Sequence, residues 1–308
     1  MPPLLYVIFN RPTLTAQSFA YIRQAQPSVL FIAADAPRAD RAQETELTEQ
    51  TRAVTDQIDW KCDVRRLYAT SNMGCGRRIS SAITEVLAEF ESVMVLEDDC
   101  IPDPSFFHFC GELLERYKHD ERVMAVSGDN FQKGLSRTSA SYYFSKYPHC
   151  WGWGTWRRAW QHFSLTIEDW PEFRDAGGLE TYCQNDREMR YWTSTFNLVH
   201  EGKTDSWAMP WTFCCWKNHG LTILPNRNLV SNVGFGTEGT HTLQKSAFAE
   251  LPVASLDQLV HPTSVYRHDA ADRFTDELVY SGPWDRANQK RNRKRWLPRP
   301  RNFFRSAA

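Results

Sequence analysis

Three consecutive carboxylates, Glu97-Asp98-Asp99, follow directly on the apolar run at residues 93–96. Where a buried strand reaches the surface, the mutual repulsion of three carboxylates requires a counter-charge. Mg²⁺ and Mn²⁺ prefer oxygen ligands, and they commonly take one or two carboxylates together with substrate phosphates. The triplet therefore predicts a divalent metal site bound to a phosphorylated ligand, with a solvated acidic turn as the alternative.

A glycine-rich segment followed by two arginines, Gly74-Cys75-Gly76-Arg77-Arg78, lies at a predicted helix start. Glycines allow close backbone approach, and free N–H groups with guanidinium forks suit a diphosphate. We therefore expect Gly74 and Arg77 to contact a nucleotide. The third glycine of the dinucleotide fingerprint is absent, and arginines at a helix start can also simply face water.

Aromatic residues are dense between residues 142 and 163. Flat rings can lie beneath a sugar, and glycines between them let the backbone approach it; we expect Trp151, Gly152 and Trp153 to make such contacts. Tryptophan more often packs in cores, so packing on the sheet is the alternative. The aromatic residues are Tyr142, Tyr143, Phe144, Tyr147, Trp151, Trp153, Trp156, Trp160 and Phe163.

Two further polar side chains, Asp205 and His241, are candidates for chemistry. Asp205 precedes the apolar, helix-compatible run at 206–211. It fits a general base whose aromatic neighbours restrict water and raise its pKa, or a helix N-cap. His241 lies in the glycine-rich segment 234–242, which is able to fold over a ligand, or it is a surface histidine.

The elements that position these side chains follow an alternating pattern. Apolar, β-branched runs alternate with segments of helical periodicity from residue 4 to residue 131, which predicts an α/β, Rossmann-like fold with a mainly parallel sheet flanked by helices. Ligands bind beyond the carboxyl ends of such strands. The predicted strands are 4–9, 29–34, 64–69, 93–96 and 123–127, and the polar residues after four of them include Asn10, Arg11, Asp35 and Asn72.

Composition excludes several classes of protein. The chain has 308 residues, of which 42% are hydrophobic and 24% charged, so it is neither disordered nor fibrous. A net charge of -1 argues against a nucleic-acid partner. No apolar run approaches the roughly 20 residues of a membrane-spanning helix, and no secretory leader pattern is present. These features predict a cytoplasmic protein whose eight cysteines are reduced.

Residues 285–308 are strongly basic and predict a flexible tail. Its nine Lys and Arg residues are interleaved with Trp296, Phe303 and Phe304. Basic residues near an anionic membrane contribute about 1 kcal/mol each, and aromatic rings can lie at the headgroup level. We therefore expect peripheral contact with the inner face of the cell membrane, with a solubilising disordered tail as the alternative.

Taken together, Glu97-Asp98-Asp99-Cys100, the helix start at 102–107, the Trp-Gly-Trp segment and Asp205-Ser206-Trp207 resemble nucleotide-sugar glycosyltransferases of GT-A fold. The likeness is to the inverting N-acetylglucosaminyltransferase I group and its bacterial relatives. It covers residues 1–242, divided into a nucleotide-binding half (1–131) and an acceptor and catalytic half (132–242), with a C-terminal extension at 243–284.

The resemblance implies a Mn²⁺-bound (or Mg²⁺-bound) nucleotide diphosphate-sugar, with Asp99 as a direct metal ligand and Glu97 and Asp98 beside the donor. It further implies that Asn10 and Asp35 bind the nucleotide, that Asp205 is the catalytic base, and that His241 contacts metal or pyrophosphate.

The expected function is inverting transfer of a sugar, with a UDP-sugar as the expected donor, to a hydroxyl of a glycan or lipid-linked acceptor. A sugar nucleotidyltransferase is the first alternative, although such enzymes usually carry a glycine-rich loop after the first strand and Asn10-Arg11-Pro12-Thr13 has no glycine. A catalytically silent carbohydrate-binding protein is the second alternative.

Overall fold

A mixed sheet flanked by helices forms the centre of the protein. The computed structural model describes residues 1–235, 248–256 and 258–296. The strands are β1 (Leu4–Ile8), β2 (Val29–Ala34), β3 (Asp63–Tyr68), β4 (Ser92–Glu97), β5 (Cys100–Pro102), β6 (Val123–Ser127), β7 (Tyr142–Ser145), β8 (Trp153–Trp156), β9 (Leu221–Pro225) and β10 (Val230–Asn232). The helices are α1 (Pro12–Ala25), α2 (Ala42–Val54), α3 (Cys75–Glu89), α4 (Ser105–Arg116), α5 (Arg157–Trp160), α6 (Trp170–Asp175), α7 (Asp186–His200), α8 (Ala208–Lys217), α9 (Asp269–Val279) and α10 (Ser281–Trp296).

Within the described residues, eight strands pair in the order β3-β2-β1-β4-β8-β6-β9-β7, and β5 and β10 form a separate ribbon. Strands β1 to β4 are mutually parallel, β8 runs antiparallel between β4 and β6, and β7 runs antiparallel to β9. The predicted α/β class with a mainly parallel sheet is confirmed. The chain order reverses between β1 and β4, and in open α/β sheets the crevice at such a reversal is where ligands bind.

The five strands predicted from apolar runs coincide with β1, β2, β3, β4 and β6 to within one residue at each end. The amphipathic helix α3 is also confirmed, with Ile79, Ile83 and Val86 between 0% and 3% exposed. Helix α4 begins where the sequence predicts, because Asp103 Oδ1 accepts from the Ser105 N–H at 2.9 Å.

The strand β8 was not predicted, because its sequence was interpreted as ligand contacts. Trp153 is fully buried and stacks on Trp207, with ring centroids 4.9 Å apart. A Cβ on Gly154 would lie 2.9 Å from Cys110 Sγ, so this glycine allows α4 to pack closely on the sheet. The aromatic residues of this segment therefore mainly form hydrophobic core, where each buried ring removes about 150–250 Å² of its surface from water.

The expected divisions of the chain share one sheet. Strand β8, from the half at 132–242, lies between β4 and β6 of the half at 1–131. Beyond residue 243, α9 is joined to the core through Asp272, which is 1% exposed and accepts from the Ser145 hydroxyl at 2.6 Å.

The predicted flexible tail requires a correction, because residues 285–296 continue the helix α10 instead of starting an irregular segment. The ring of Trp284 packs edge-on against Tyr191, with centroids 5.9 Å apart. The rest of the tail, 297–308, lies outside the described residues. In the part of the chain that the structure describes, no helix has the length and apolar character to cross a membrane.

Candidate functional site

The carboxyl ends of β1 and β4 lie side by side at the switch point of the sheet. Val7 pairs with Glu97 in parallel register, and the Asp98 N–H donates to the Val7 carbonyl at 3.0 Å. Asn10 and Arg11 therefore leave β1 next to the acidic triplet that leaves β4, as the strand assignments predict.

Arg11 supplies the counter-charge that the triplet requires. Its guanidinium forms an ion pair with Asp98 through Nη2, and Nη1 lies 3.0 Å from Asp99 Oδ2. Asp98 is 2% exposed, and burial raises its pKa to about 6 in spite of the attraction of Arg11. Asp98 therefore acts first as the buried partner of Arg11, and the metal that the triplet predicts would be a second counter-charge.

Glu97 is the carboxylate of the triplet that lacks a partner. It is partly buried and makes no hydrogen bond or ion pair with any of the described residues. Burial, followed by repulsion from Asp99 and Asp98, raises the pKa of Glu97 to about 8. Three carboxylates facing one guanidinium leave an excess of negative charge at this strand end.

The oxygen donors at this point fit Mn²⁺ or Mg²⁺ in one specific way. Among residues 1–235, 248–256 and 258–296, no three His, Cys, Asp or Glu side chains converge closely enough to hold a metal ion by themselves. Glu97 offers a carboxyl group whose proton a cation would displace, and Asp99 offers a carboxylate that shares the single Arg11 guanidinium with Asp98. Such oxygens suit a hard divalent cation that takes its remaining ligands from water and from substrate phosphates. The residues therefore fit an ion that is held jointly with a diphosphate.

Residues of the ribbon enclose Asp99, and the sequence reasoning did not find them. Asn232, at the end of β10, donates from Nδ2 to Asp99 Oδ1 at 3.2 Å, and the Val233 N–H donates to the Asp99 carbonyl at 2.9 Å. A Cβ on Gly234 would overlap Asp99 Oδ2. Only a residue without a side chain fits there, so the close approach of this segment fixes the Asp99 carboxylate.

The N-terminus of α3 is held by two carboxylates. Asp35 is 6% exposed and accepts from the N–H groups of Met73 and Gly74, with distances of 2.9 to 3.0 Å. Asp205 accepts from Cys75 at 2.9 Å and from Gly76 at 2.7 Å. The N–H groups that we expected a diphosphate to use therefore already have acceptors, and Asp35 shapes this loop.

Asp205 differs from both sequence interpretations. It is exposed, so aromatic rings do not shield it from water. It also caps α3 instead of the helix that follows it, since α8 begins at Ala208 without a side-chain cap. Both carboxylate oxygens accept from N–H groups at the start of α3.

Cys75 lies between Asp205 and the triplet. Burial raises the pKa of its thiol well above the usual range, and the charges of Glu97, Asp205 and Asp99 raise it further. The charges of the expected base and of the expected metal ligand therefore both act on one thiol. The fold thus brings together Asp205 and Asp99, which are distant in the sequence.

Two asparagines at the strand ends are oriented by acceptors. Asn10 Nδ2 donates to Glu44 Oε1 at 3.3 Å, and Asn72 Nδ2 donates to the Ala36 carbonyl at 2.7 Å. Gly74 has a φ of +79°, and a Cβ there would lie 2.7 Å from Asp205 Oδ2, so its lack of a side chain is required.

The two arginines of α3 lie in different environments. Arg77 is exposed, and among the described residues its guanidinium has no hydrogen-bond or ion-pair partner. Arg78 points inward, is 8% exposed, and keeps Nε and Nη2 without a partner in the described part of the chain. Burial lowers the pKa of Arg78, against the attraction of Asp35.

The Trp-Gly-Trp segment contributes one ring rather than two. Trp153 is fully buried in the core, and a Cβ on Gly152 would lie 2.7 Å from Val230 Cγ2. Trp151 is partly exposed, and its ring meets Phe131 and Phe235 edge-on. The remaining candidate, His241, lies outside the described residues.

Surface concavity does not locate this site. A groove of 680 Å³ lies beside Ser92, at the amino end of β4, and α4 lines it with Phe107, Gly111 and Glu112. A smaller one of 110 Å³ lies between His162 and Lys217. Neither groove contains Glu97, Asp98 or Asp99. The candidate site at the opposite end of β4 is therefore identified from its charged groups and not from a groove.

No protein family and no curated protein matches this sequence. Among solved structures, the chain is similar to the mannosyltransferase PcManGT from Pyrobaculum calidifontis in complex with GDP-Man and Mn²⁺, at 12% identity over 70% of this chain and 69% of that chain, with a TM-score of 0.41. It is similar to the UTP-bound UGPase from Acinetobacter baumannii, at 10% identity over 73% of this chain and 85% of that chain, with a TM-score of 0.37. A UDP-glucose pyrophosphorylase complexed with UDP-glucose aligns at 11% identity over 53% and 78% of the two chains, with a TM-score of 0.32. The chemistry of this chain has to be argued from its own side chains.

Proposed function

We propose that the protein is a metal-dependent, inverting glycosyltransferase of GT-A type that uses a nucleotide diphosphate-sugar. The observation that carries this proposal is the grouping of Arg11, Glu97, Asp99 and Asp205 around Cys75 at the switch point of the sheet. One side of the group has the charges for a metal-bound diphosphate, and the other has an exposed carboxylate.

On the donor side, the acidic triplet opposes a free diphosphate, because Asp98 and Asp99 share the single Arg11 guanidinium. A divalent cation, when bound, would neutralise the leaving nucleoside diphosphate. Arg11 adds a second positive charge close to the same oxygens, since Nη1 already contacts Asp99. Asn10 binds the nucleotide next to it, while Asp35 supports the loop that includes Asn72 and Gly74. The proposal also includes His241 as a metal or diphosphate contact and Arg77 as a donor contact.

On the acceptor side, Asp205 is the proposed general base. Its two N–H donors fix the position of the carboxylate, and its exposure leaves it open to an acceptor hydroxyl. Removal of the hydroxyl proton during attack on the anomeric carbon would invert that centre in a single displacement. The partly exposed ring of Trp151 offers a surface for a sugar of a glycan or lipid-linked acceptor.

The two alternative functions have weaker support. A nucleotidyltransferase needs room for a phosphate-binding loop after β1, and here residues 9–11 alone join Ile8 to the start of α1 at Pro12. A silent carbohydrate-binding protein needs exposed rings, yet most rings of the aromatic segment are buried.

Contact with an anionic membrane through the basic C-terminal segment remains a separate proposal. Removal of residues 285–308 is expected to abolish binding to anionic vesicles without changing turnover on a soluble acceptor. Equal binding of the full chain to neutral and anionic vesicles would contradict it.

Thermal unfolding with UDP or GDP, with and without Mn²⁺, tests the donor site. Binding to the native state alone raises the free energy of unfolding, so we expect a Mn²⁺-dependent rise of the melting temperature. Asp99→Asn should lose that rise, and Glu121→Gln, at an exposed position, should keep it. Stabilisation by nucleotide that is independent of Mn²⁺ and of Asp99 would contradict the assignment.

A further inference from the structure

Asn10 contacts a buried carboxylate, Glu44, that the sequence analysis did not identify. Glu44, in the first turn of α2, is 5% exposed. Its Oε2 accepts from the Arg38 N–H at 3.1 Å, and the Arg38 guanidinium pairs with both of its oxygens. The Arg38 hydrogen bonds hold the pKa of Glu44 below its usual range, so it is a carboxylate at neutral pH.

A carboxylate accepts hydrogen bonds and donates none. The contact of 3.3 Å between Asn10 and Glu44 Oε1 must therefore be made by the amide NH₂ of Asn10. This fixes the amide orientation, and the opposite group, Oδ1, has no partner in the described part of the chain. Glu44 thus turns Asn10 into a hydrogen-bond acceptor at the end of β1.

The neighbouring strand end also has an asparagine whose amide oxygen is left as a hydrogen-bond acceptor. Ile8 pairs with Ala34, so the chain segments that follow β1 and β2 emerge next to each other. There Asn72 donates Nδ2 to the Ala36 carbonyl, which can only accept, and its Oδ1 is left as an acceptor. Both amides therefore leave their Oδ1 as an acceptor at these strand ends.

Nucleobases differ in what they offer to such oxygens. Uracil has a ring N3–H, and guanine has a ring N1–H beside an amino group. Cytosine and adenine have an unprotonated ring nitrogen at the corresponding position, and this lone pair repels a carbonyl oxygen. We propose that Glu44 is a positioning residue that holds Asn10 as an acceptor and so selects nucleotides of uracil or guanine over those of cytosine or adenine.

This inference rests on the proposed function, because it needs a nucleotide beside Arg11. Calorimetric titration of the wild-type protein with UDP, GDP, CDP and ADP in the presence of Mn²⁺ is the first test. An unsatisfied buried polar group corresponds to roughly a tenfold to hundredfold loss of affinity. UDP or GDP should bind more tightly than CDP and ADP by about that factor. The affinities of UDP and GDP relative to each other then show which of the two bases the protein uses.

Methylated nucleotides test the ring N–H directly on the wild-type protein. N3-methyl-UDP or N1-methyl-GDP should lose the same factor of affinity. Equal affinity for all four nucleotides, or no effect of methylation, would overturn the role of Asn10 and leave the proposed function intact. Failure of every nucleotide to bind would overturn the proposed function and this inference with it.

The role of Glu44 is tested by the ratio of affinities. Glu44→Ala frees the Asn10 amide to rotate, so the affinity ratio of UDP (or GDP) to CDP should fall towards one. Glu46→Ala is the matched control, because Glu46 is exposed on the same helix and accepts only from Gln50. An equal loss for all nucleotides at an unchanged ratio would show a merely structural role. If Glu44→Ala does not fold, the methylated nucleotides decide.

Discussion

The Asp205 carboxylate caps α3 through Gly76, whose nitrogen lies 2.7 Å from Asp205 Oδ1 across a sequence separation of 129 residues. The same loop is held on its other side by Asp35. Movement of α3 would therefore move the proposed base, so the position of this carboxylate depends on the donor half of the site.

Asp205→Asn separates the two roles of this residue. In Asn an NH₂ group replaces one of the two oxygens that accept from Cys75 and Gly76, so one of these contacts is lost, and a charge is removed from a helix N-terminus. We expect a loss of about 1–2 kcal/mol in the free energy of unfolding. Turnover should fall by roughly a hundred- to ten-thousand-fold because no proton acceptor remains. Denaturant unfolding and steady-state kinetics measure the two effects, and nearly normal turnover would exclude Asp205 as the base.

Gly234→Ala tests the enclosure of Asp99 without changing any charged group. The new methyl group would overlap Asp99 Oδ2, so the carboxylate has to shift. A displacement of about 1 Å at a reacting centre can cost about a hundred-fold in rate. Gly111→Ala is the control, because its Cβ would lie 3.6 Å from Pro2 Cδ, an ordinary contact. If both variants turn over like the wild type, the ribbon does not position Asp99.

The raised pKa of Asp272 should make the free energy of unfolding depend on pH, independently of catalysis. Burial raises its pKa to about 6, against stabilising contacts from Ser145 and Lys146. The folded state then binds more protons than the unfolded state between about pH 4 and pH 6. Stability from this group is therefore highest at low pH and falls by about 3 kcal/mol as pH rises through that window.

Asp272→Asn should remove this component, which denaturant unfolding at several pH values would measure. Asp269→Asn, at an exposed position of the same helix, should retain it. The same pH slope in wild type and Asp272→Asn would mean that Asp272 titrates normally.

The two tryptophans around Gly152 should behave differently. Trp153→Ala leaves a cavity in the core and should cost about 3–5 kcal/mol in the free energy of unfolding. Trp151→Ala should cost less stability and should reduce turnover at limiting acceptor, since its ring is partly exposed. Thermal unfolding with acceptor titration distinguishes them, and a mainly structural loss in both variants would remove Trp151 from the acceptor site.

Local patterns were enough to predict most of the sheet and the place of the site. Apolar, β-branched runs identify β1, β2, β3, β4 and β6, and the rule on strand ends then locates the acidic triplet. The inward direction of Arg78 was also available, because it precedes the buried Ala82 and Val86 at spacings of four residues on one helix.

Other features depend on contacts between distant segments. Strand β8 forms because Trp153 and Gly154 fit between β4 and β6, although the local sequence has no strand-like run. The pairings of Arg11 with Asp98 and of Asn10 with Glu44 join residues 87 and 34 positions apart, which no periodicity reveals. The sequence analysis named a metal as the counter-charge of the acidic triplet, because the contact of Arg11 with Asp98 cannot be predicted from local sequence.

The central claim is metal-dependent transfer of a sugar from a nucleotide donor. NMR spectra of individual UDP- and GDP-sugars, recorded while each is incubated with the protein and Mn²⁺, test it most directly. With water as the acceptor, we predict release of the nucleoside diphosphate from at least one donor and formation of a free sugar whose first-formed anomer is inverted. Both signals should be lost on removal of Mn²⁺ or in Asp99→Asn. Formation of nucleoside triphosphate from added pyrophosphate, a retained anomeric configuration, or no reaction with any donor would contradict the account.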